Sequence, residues 1–215
     1  MGSKLMCYRF YIQRSTDLIP YIEKAEASPL NSKMSIALSR PLKKEGEIRP
    51  TDMVPIIAPS KTGRDTVFPM IWGFTNPRST APIINARVET VADKPMFQDS
   101  WEHRRCAIPC SWYFEWEHLH NEFTGKDATG DKYTIQPRGT SVTFLAGLYR
   151  IENGFPYFTI LTMNAADNIS FIHDRMPVIL PHILVNKWIT PSSKAEAIVA
   201  EALTDMVFEK NGCLL

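Results

Sequence analysis

The stretch Thr143-Phe144-Leu145-Ala146-Gly147-Leu148-Tyr149-Arg150-Ile151-Glu152-Asn153-Gly154-Phe155-Pro156-Tyr157-Phe158-Thr159-Ile160-Leu161-Thr162 decides the fold class. Two runs rich in apolar, aromatic and β-branched residues flank Glu152-Asn153-Gly154. Asn-Gly closes tight hairpins because both residues accept a positive φ. Outward from this hairpin, residues 7–12, 54–58, 67–72 and 132–136 read as further strands. Residues 105–116 are strand-like, with Pro109 interrupting them. Helical patterning is sparse. A helix capped by Ser15 or Thr16 runs to about Ala27, a short one covers residues 96–103, and residues 183–189 and 194–203 are helical. Residues 28–50 read as irregular, and the polar segment 117–131 as a surface loop. Many strands, few helices and no regular βαβ alternation predict a single-domain α+β fold. Its sheet is largely antiparallel and curved or barrel-like, with peripheral helices.

The chain has 215 residues, 44% hydrophobic and 22% charged. That suits one globular domain and excludes disorder throughout. No apolar run approaches the ~18 residues of a membrane span, and the opening MGSKLMCYRF lacks the apolar core of a secretory signal. A cytoplasmic protein is expected (nucleoid-associated if bacterial), monomeric and without a membrane partner. Lys and Arg number 24 against 23 Asp and Glu, a net charge of +1. This excludes a strongly basic nucleic-acid glove but leaves room for a local basic groove.

Four segments carry residues suited to chemistry. Cys7 follows an internal Met6; a chain beginning at Cys7 presents an α-amine and a thiol on adjacent carbons, both titrating near neutrality. An aldehyde condenses with the amine, and the thiol then closes a five-membered thiazolidine. The alternative is a small strand residue packed inward. In Ile84-Asn85-Ala86-Arg87-Val88-Glu89-Thr90, Asn85 and Arg87 share a face if the segment is extended. Their amide and guanidinium suit an oxygen-rich or phosphate-bearing ligand, or a surface ion pair with Glu89 or Asp93. In Trp112-Tyr113-Phe114-Glu115-Trp116, Glu115 shares a strand face with Tyr113, opposite Trp112, Phe114 and Trp116. A carboxylate in apolar surroundings suits proton transfer near neutral pH; an exposed outer-face glutamate is the alternative. In Phe171-Ile172-His173-Asp174-Arg175-Met176-Pro177, His173 is an acid/base candidate or a hydrogen-bonded core histidine. Cys7, Cys106, Cys110 and Cys213 read as thiols. His103, Cys106, Cys110, His118 and His120 cluster in sequence, but residues four apart on a strand lie ~13 Å apart, too far for one ion without a turn at Pro109. No metal and no cofactor are expected.

Taken together, Met6-Cys7-x-Arg9-Phe10, Trp72-Gly73, residues 84–90, Arg105-Cys106-x-x-Pro109, residues 112–116 and His173-Asp174-Arg175-Met176-Pro177 resemble, in order, the motifs of the SRAP (SOS-response-associated peptidase) family. The resemblance implies single-stranded DNA containing abasic sites as partner, and covalent capture of the ring-opened sugar by the N-terminal cysteine. It implies Cys7 as nucleophile, Asn85 positioning its amine, and Glu115 with His173 as acid/base pair. It further implies Arg9, Arg87 and Arg175 on phosphates, Trp72 stacking on a base, and Pro50 on a DNA-facing loop. The chain departs from the family at Tyr8 and Ser111, where glycine is usual, and in carrying residues 1–6 ahead of Cys7. Those six residues read as an N-terminal extension, a cloning remnant or a mis-assigned start, with the SRAP-like domain over residues 7–215. A cysteine-type (auto)peptidase using Cys7 and His173, or a non-catalytic single-strand binding module, are the alternative functions.

Overall fold

The residues Thr143–Glu152 and Phe155–Asn164 pair antiparallel, with Phe155 opposite Glu152. That register leaves Asn153 (φ 50°) and Gly154 (φ 82°) as the two turn residues, both left-handed as the tight turn requires. The hairpin belongs to a computed structural model that describes residues 8–60, 65–121 and 126–210.

In chain order the elements are β1 (Arg9–Ile12), α1 (Ile19–Glu26), α2 (Pro29–Leu38), β2 (Gly46–Ile48), β3 (Met53–Pro59), β4 (Asp65–Trp72), β5 (Asn85–Arg87) and α3 (Pro95–His103). There follow β6 (Arg105–Cys110), β7 (Trp112–Asn121), β8 (Lys126–Pro137), β9 (Thr143–Glu152), β10 (Phe155–Asn164), β11 (Arg175–Pro177) and β12 (Ile179–Leu180). The chain ends through α4 (Val185–Ile189), α5 (Ala195–Val199) and β13 (Met206–Lys210).

Strands β10, β4, β3, β6 and β9 close on themselves through the β9–β10 hairpin, making a five-stranded barrel. Four of its joints are antiparallel; β10 runs parallel to β4, and also to β5 beside it. A second sheet, ordered β13-β8-β7-β1-β2, is antiparallel throughout. The two sheets share one core. Along the barrel strands alternate residues face inward: Val54, Ile56 and Ala58 on β3, Cys106, Ile108 and Cys110 on β6, Phe158 and Ile160 on β10. They meet Phe10, Tyr113 and Ile135 from the second sheet. The intervening residues, such as Met53, Ile57, Ala107 and Leu161, pack outward under the helices with Trp101 and Trp188. This period of two is what one strand buried on both faces produces.

The α+β architecture agrees with the sequence, and several local expectations need correction. Residues 28–50 contain helix α2, started by Ser28, whose hydroxyl accepts from the Leu30 N–H (3.3 Å), and by Pro29 in the first turn. Helix α1 begins at Ile19, after a turn in which the Ser15 carbonyl accepts from Leu18 and Ile19. Neither Ser15 nor Thr16 caps it. The break in residues 105–116 falls at Ser111. There the Ser111 N–H donates to the Tyr11 carbonyl and its hydroxyl accepts from Gln13 N–H, which turns the chain from the barrel into the second sheet. Pro109 sits within β6 opposite Phe144, where β3 reaches β6 only at Ala107. The described residues of the segment 117–131 extend β7 and β8 into a long hairpin. No helix among the described residues is long and apolar enough to cross a membrane.

Candidate active site

Cross-strand partners share a sheet face, so register fixes where Glu115 points. It lies opposite Tyr133, on the face of Phe10, Tyr113 and Ile135, with only 3% of its surface exposed. Trp112 and Phe114 take the other face with Tyr11, which stacks on Trp112 at 4.7 Å. The exposed-glutamate alternative is thereby excluded. Cys7 lies outside the described residues; the chain enters β1 two residues later, and Tyr8 packs against the shared core.

The loop carrying His173 meets β7 three residues beyond Glu115. A bulge falls between Trp116 and His118, and the His118 N–H then donates to the Ile172 carbonyl (3.0 Å), stitching β7 to the loop that carries His173. The His118 and His173 rings meet edge to face, 4.2 Å between centroids. His173 is 2% exposed. Its Nδ1 accepts from the Arg175 N–H (2.9 Å), which places the proton of the neutral ring on Nε2. The Asp174 carboxylate lies 2.9 Å from the same Nδ1 and would receive its proton from the charged ring. The Nδ1 edge of the imidazole thus meets both a backbone donor and a carboxylate. His118 was weighed from sequence only as a metal ligand; its contact with His173 depends on the bulge, which no local pattern announces.

Asn85 starts β5, held parallel to β10 with Asn85 opposite Ile160. Two side chains fix this segment. The Trp72 indole N–H donates to the Ile84 carbonyl (3.0 Å). Arg175 forks onto Glu89, Nη1 to Oε1 at 2.6 Å and Nη2 to Oε2 at 2.7 Å, and adds bonds to the Asn164 side chain and the Thr162 carbonyl. The Arg175 guanidinium holds the Glu89 carboxyl below its usual range, against a smaller opposing effect of burial.

Two expectations fail here. Trp72 is fully buried, tilted against Phe10 and stacked on Phe158, so neither indole face is open to a base. It acts as an anchor instead: its backbone bonds Thr51 N–H and the Asp52 carbonyl, so one residue holds both the turn carrying Pro50 and the strand carrying Asn85. Gly73 follows at φ 109°, where a Cβ would stand 2.7 Å from Pro82. Arg175 is 6% exposed and both its terminal nitrogens are taken up by Glu89, Asn164 and Thr162, so it holds the site together and is not available to a phosphate.

Arg9 and Arg87 stand differently. Arg87 is exposed on β5. Arg9 lies on the outer face of the second sheet, over the half-buried Trp116 ring (5.2 Å) and paired with Glu47 at 2.6 Å. Lys132 reaches the same Glu47 at 2.8 Å and lies 3.6 Å over Phe114. Burial alone would raise the Glu47 carboxyl, but the hydrogen bonds and charges of Lys132 and Arg9 outweigh it and keep it low. Pro50 is half-buried in a turn where Thr51 takes φ 74°. Cys106 and Cys110 are buried in the barrel, and burial pushes both thiols up. The turn at Pro109 that would bring them to one ion is absent. Among the described residues no three His, Cys, Asp or Glu side chains form a metal-binding group.

A barrel roofed by an antiparallel sheet, with a buried glutamate, a buried histidine and an asparagine-bearing strand tied at one end, defines an α+β protein built around one polar rim. Residues 6–211 match the model of the family described as SOS response associated peptidase (SRAP), and the chain belongs to that family. The abasic site processing protein YoaM of Bacillus subtilis is 34% identical over 116 residues, 52% of this chain and 48% of that one. The abasic site processing protein YedK of Escherichia coli is 30% identical over 128 residues, 56% of this chain and 53% of that one. The matched region spans about half the length of these curated relatives. A crystal structure of a protein from Bacteroides thetaiotaomicron superposes with a TM-score of 0.71 at 22% identity, covering 95% of this chain and 91% of that one, a likeness of fold.

Proposed function

We propose that the protein captures abasic sites in single-stranded DNA as a covalent adduct on Cys7. The reading rests on one observation above all: Glu115 on β7 and His173, on a loop bonded to β7 three residues further on, are both buried titratable side chains. The names of the relatives, abasic site processing proteins, support the substrate.

The chemistry needs a free α-amine on Cys7, hence removal of residues 1–6. Glu115 and His173 move the two protons of ring opening, one leaving the anomeric hydroxyl and one reaching the ring oxygen. The amine adds to the C1′ aldehyde and loses one water to give an imine. The thiolate attacks the imine carbon, the nitrogen takes a proton, and the thiazolidine closes. Asn85 orients the amine; Arg9 and Arg87 meet phosphates, with the Pro50 turn flanking the strand. The arginines make binding salt-dependent, by about 0.7 in the log–log slope per phosphate neutralised.

The test is a chain beginning at Cys7, mixed with single-stranded DNA bearing one abasic site and run on a denaturing gel, with intact mass recorded. A covalent shift is expected, at the mass of the two components less one water. Cys7→Ser and Cys7→Ala lose the stable adduct. A stable adduct formed by the chain with residues 1–6 attached would overturn the thiazolidine, and peptide cleavage without adduct would establish the peptidase instead.

A further inference from the structure

Away from the polar rim, a cleft of about 470 Å³ opens beside β2, the edge strand of the second sheet. It is lined by Arg14, Arg40, Lys43 and Lys44 against the carboxylates of Glu45 and Asp52. The lysines are already engaged, Lys43 with Asp52 at 2.8 Å and Lys44 with Glu26 at 2.7 Å. The guanidiniums of Arg14 and Arg40 carry no such ion pair among the described residues. Arg40 donates to the Thr51 carbonyl, a neutral acceptor. The cleft therefore holds an excess of positive charge carried by two forked donors, the side chain best matched to phosphate oxygens.

Its place in the fold is equally informative. Ile12 pairs with Gly46, so Arg14 and Lys44 lie just beyond the end of β1 opposite to the one that Cys7 leads into. The pairing of β1 with β2 spans ~10 Å at ~3.3 Å per residue. The other end of that ladder carries Arg9 and Arg49, both on Glu47. The cleft also shares Thr51 and Asp52 with the turn that holds Pro50, and Arg40 grips that turn. Cations thus flank the β1–β2 ladder from the Cys7 end to the cleft.

We infer that the Arg14–Arg40 cleft is a second phosphate subsite, taking a backbone phosphodiester of the captured strand at a distance from the reacting sugar. The inference rests on the proposed single-stranded DNA binding and extends its footprint. It gives the protein a length preference: strands long enough to reach the cleft gain a contact, and shorter ones react at the rim alone.

The experiment uses single strands with one abasic site, lengthened one nucleotide at a time on the 5′ side in one series and on the 3′ side in another. Arg14 is the clean probe because it is exposed and engages no carboxylate among the described residues; Arg14→Glu reverses its charge and Arg14→Lys keeps it. Beyond a threshold length on one side only, Arg14→Glu is expected to weaken binding by about tenfold. Its log–log salt slope should be shallower by about 0.7. The shortest strands should bind and crosslink at the native level, and Arg14→Lys should recover most of the lost affinity. Inorganic phosphate at matched ionic strength tests the other source of the same oxyanion. Phosphate binding lost in Arg14→Glu, with no length dependence in either DNA series, would make the cleft a small-anion site and overturn the strand assignment. Equal losses at all lengths, or none, would also overturn it. If the native chain neither binds nor crosslinks abasic single strands, the proposed function fails first, and the two failures are told apart.

Discussion

Arg105 and Arg175 are both buried guanidiniums, one under the C-terminal helices and one under the polar rim, and they are held by different chemistry. Arg105 donates to carbonyls alone apart from one hydroxyl: Nε to Trp188 (2.7 Å), Nη1 to Trp101 (3.0 Å), Nη2 to Thr190, Pro191 and Ser193. Its charge also lies 5.3 Å over the Trp188 ring. These acceptors do not titrate. Burial lowers the guanidinium somewhat, which leaves it charged at any ordinary pH. Arg175 is fixed by a carboxylate, Glu89, whose side chain is 43% exposed, and its Nε makes no hydrogen bond among the described residues. One region is stapled with neutral, fully engaged groups, and the other with an ion pair open to solvent. The first is built for permanence. The second holds its residues in place and still gives at one bond.

The largest effect is expected at the helical end. Arg105→Ala leaves several buried carbonyls without a donor, at ~1–3 kcal/mol each before relaxation. A loss on the order of 4 kcal/mol follows, a drop of ~10 °C in Tm for a chain of this size. The adduct-forming rate per folded molecule should stay within about twofold of native at 25 °C. Scanning calorimetry with a rate measurement checks both. A Tm shift below ~3 °C would erase the contrast from one side.

At the rim the order reverses. Arg175→Ala also costs stability, because it removes a buried fork onto Glu89, Asn164 and Thr162. On the proposed function the larger effect is on rate: adduct formation per folded molecule should slow by about 100-fold, because the Asn85 segment is freed from the loop of His173 and small misplacements of reacting groups are costly. Arg175→Lys should rescue poorly, since an ammonium cannot fork onto both Glu89 oxygens. Single-turnover kinetics on short abasic strands is the readout, with binding measured in parallel. Loss of binding equal to the loss of rate would return Arg175 to phosphate contact.

How much of this was legible follows from which signals are local. The β9–β10 hairpin was read whole because Asn153-Gly154 fixes both turn and register. The face of Glu115 followed from strand alternation alone. Helix α2 is faint in the sequence although Ser28-Pro29 is a sound start, because it buries little beyond Met34 and shows no apolar stripe. The described residues of 117–131 resemble a loop in sequence because a hairpin running past the body of the protein is polar without being irregular. For Trp72 and Arg175 the motif implies DNA contact, but exposure is not written in a motif. Their partners Ile84, Phe158 and Glu89 lie 12, 86 and 86 positions away in the chain. His118 needed the bulge before its ring could meet His173.

A smaller effect tests the titratable half of the contrast. The folded Glu89 carboxyl lies below its ordinary value of 4.5, chiefly through the Arg175 hydrogen bonds. A depressed carboxylate stabilises the fold fully above the unfolded value, and that contribution fades as pH falls through the folded value. Below about pH 4.5 the rim should therefore loosen while the Arg105 end stays closed. The reporter is exchange protection of the Ala165 amide, which donates to the Asp174 carbonyl (3.0 Å). Its protection should fall across that range, against little change at the Trp188 indole N–H, which donates to the Cys106 carbonyl (2.8 Å). Glu89→Gln should remove the pH dependence. Parallel loosening of both ends would mean that the rim has no separate stability.

The smallest expected effect concerns His118, whose ring edge meets His173 at 4.2 Å. An edge-to-face pair is worth ~0.5–1.5 kcal/mol, and here that energy adds to the Arg175 N–H and Asp174 contacts at Nδ1 in holding the orientation of the ring. His118→Ala should slow adduct formation by about threefold to tenfold with binding of intact strands unchanged. His118→Phe keeps an aromatic edge and discards the titrating nitrogens, so the two roles separate. If His118 positions by packing, the phenylalanine restores the native rate and the native pH profile. If it restores neither, and a limb of the profile vanishes with the imidazole, then His118 handles a proton itself and the rim holds two working histidines. The backbone bond from the His118 N–H to Ile172 survives either substitution, so the stitch between β7 and the His173 loop stays intact and any change in rate belongs to the ring.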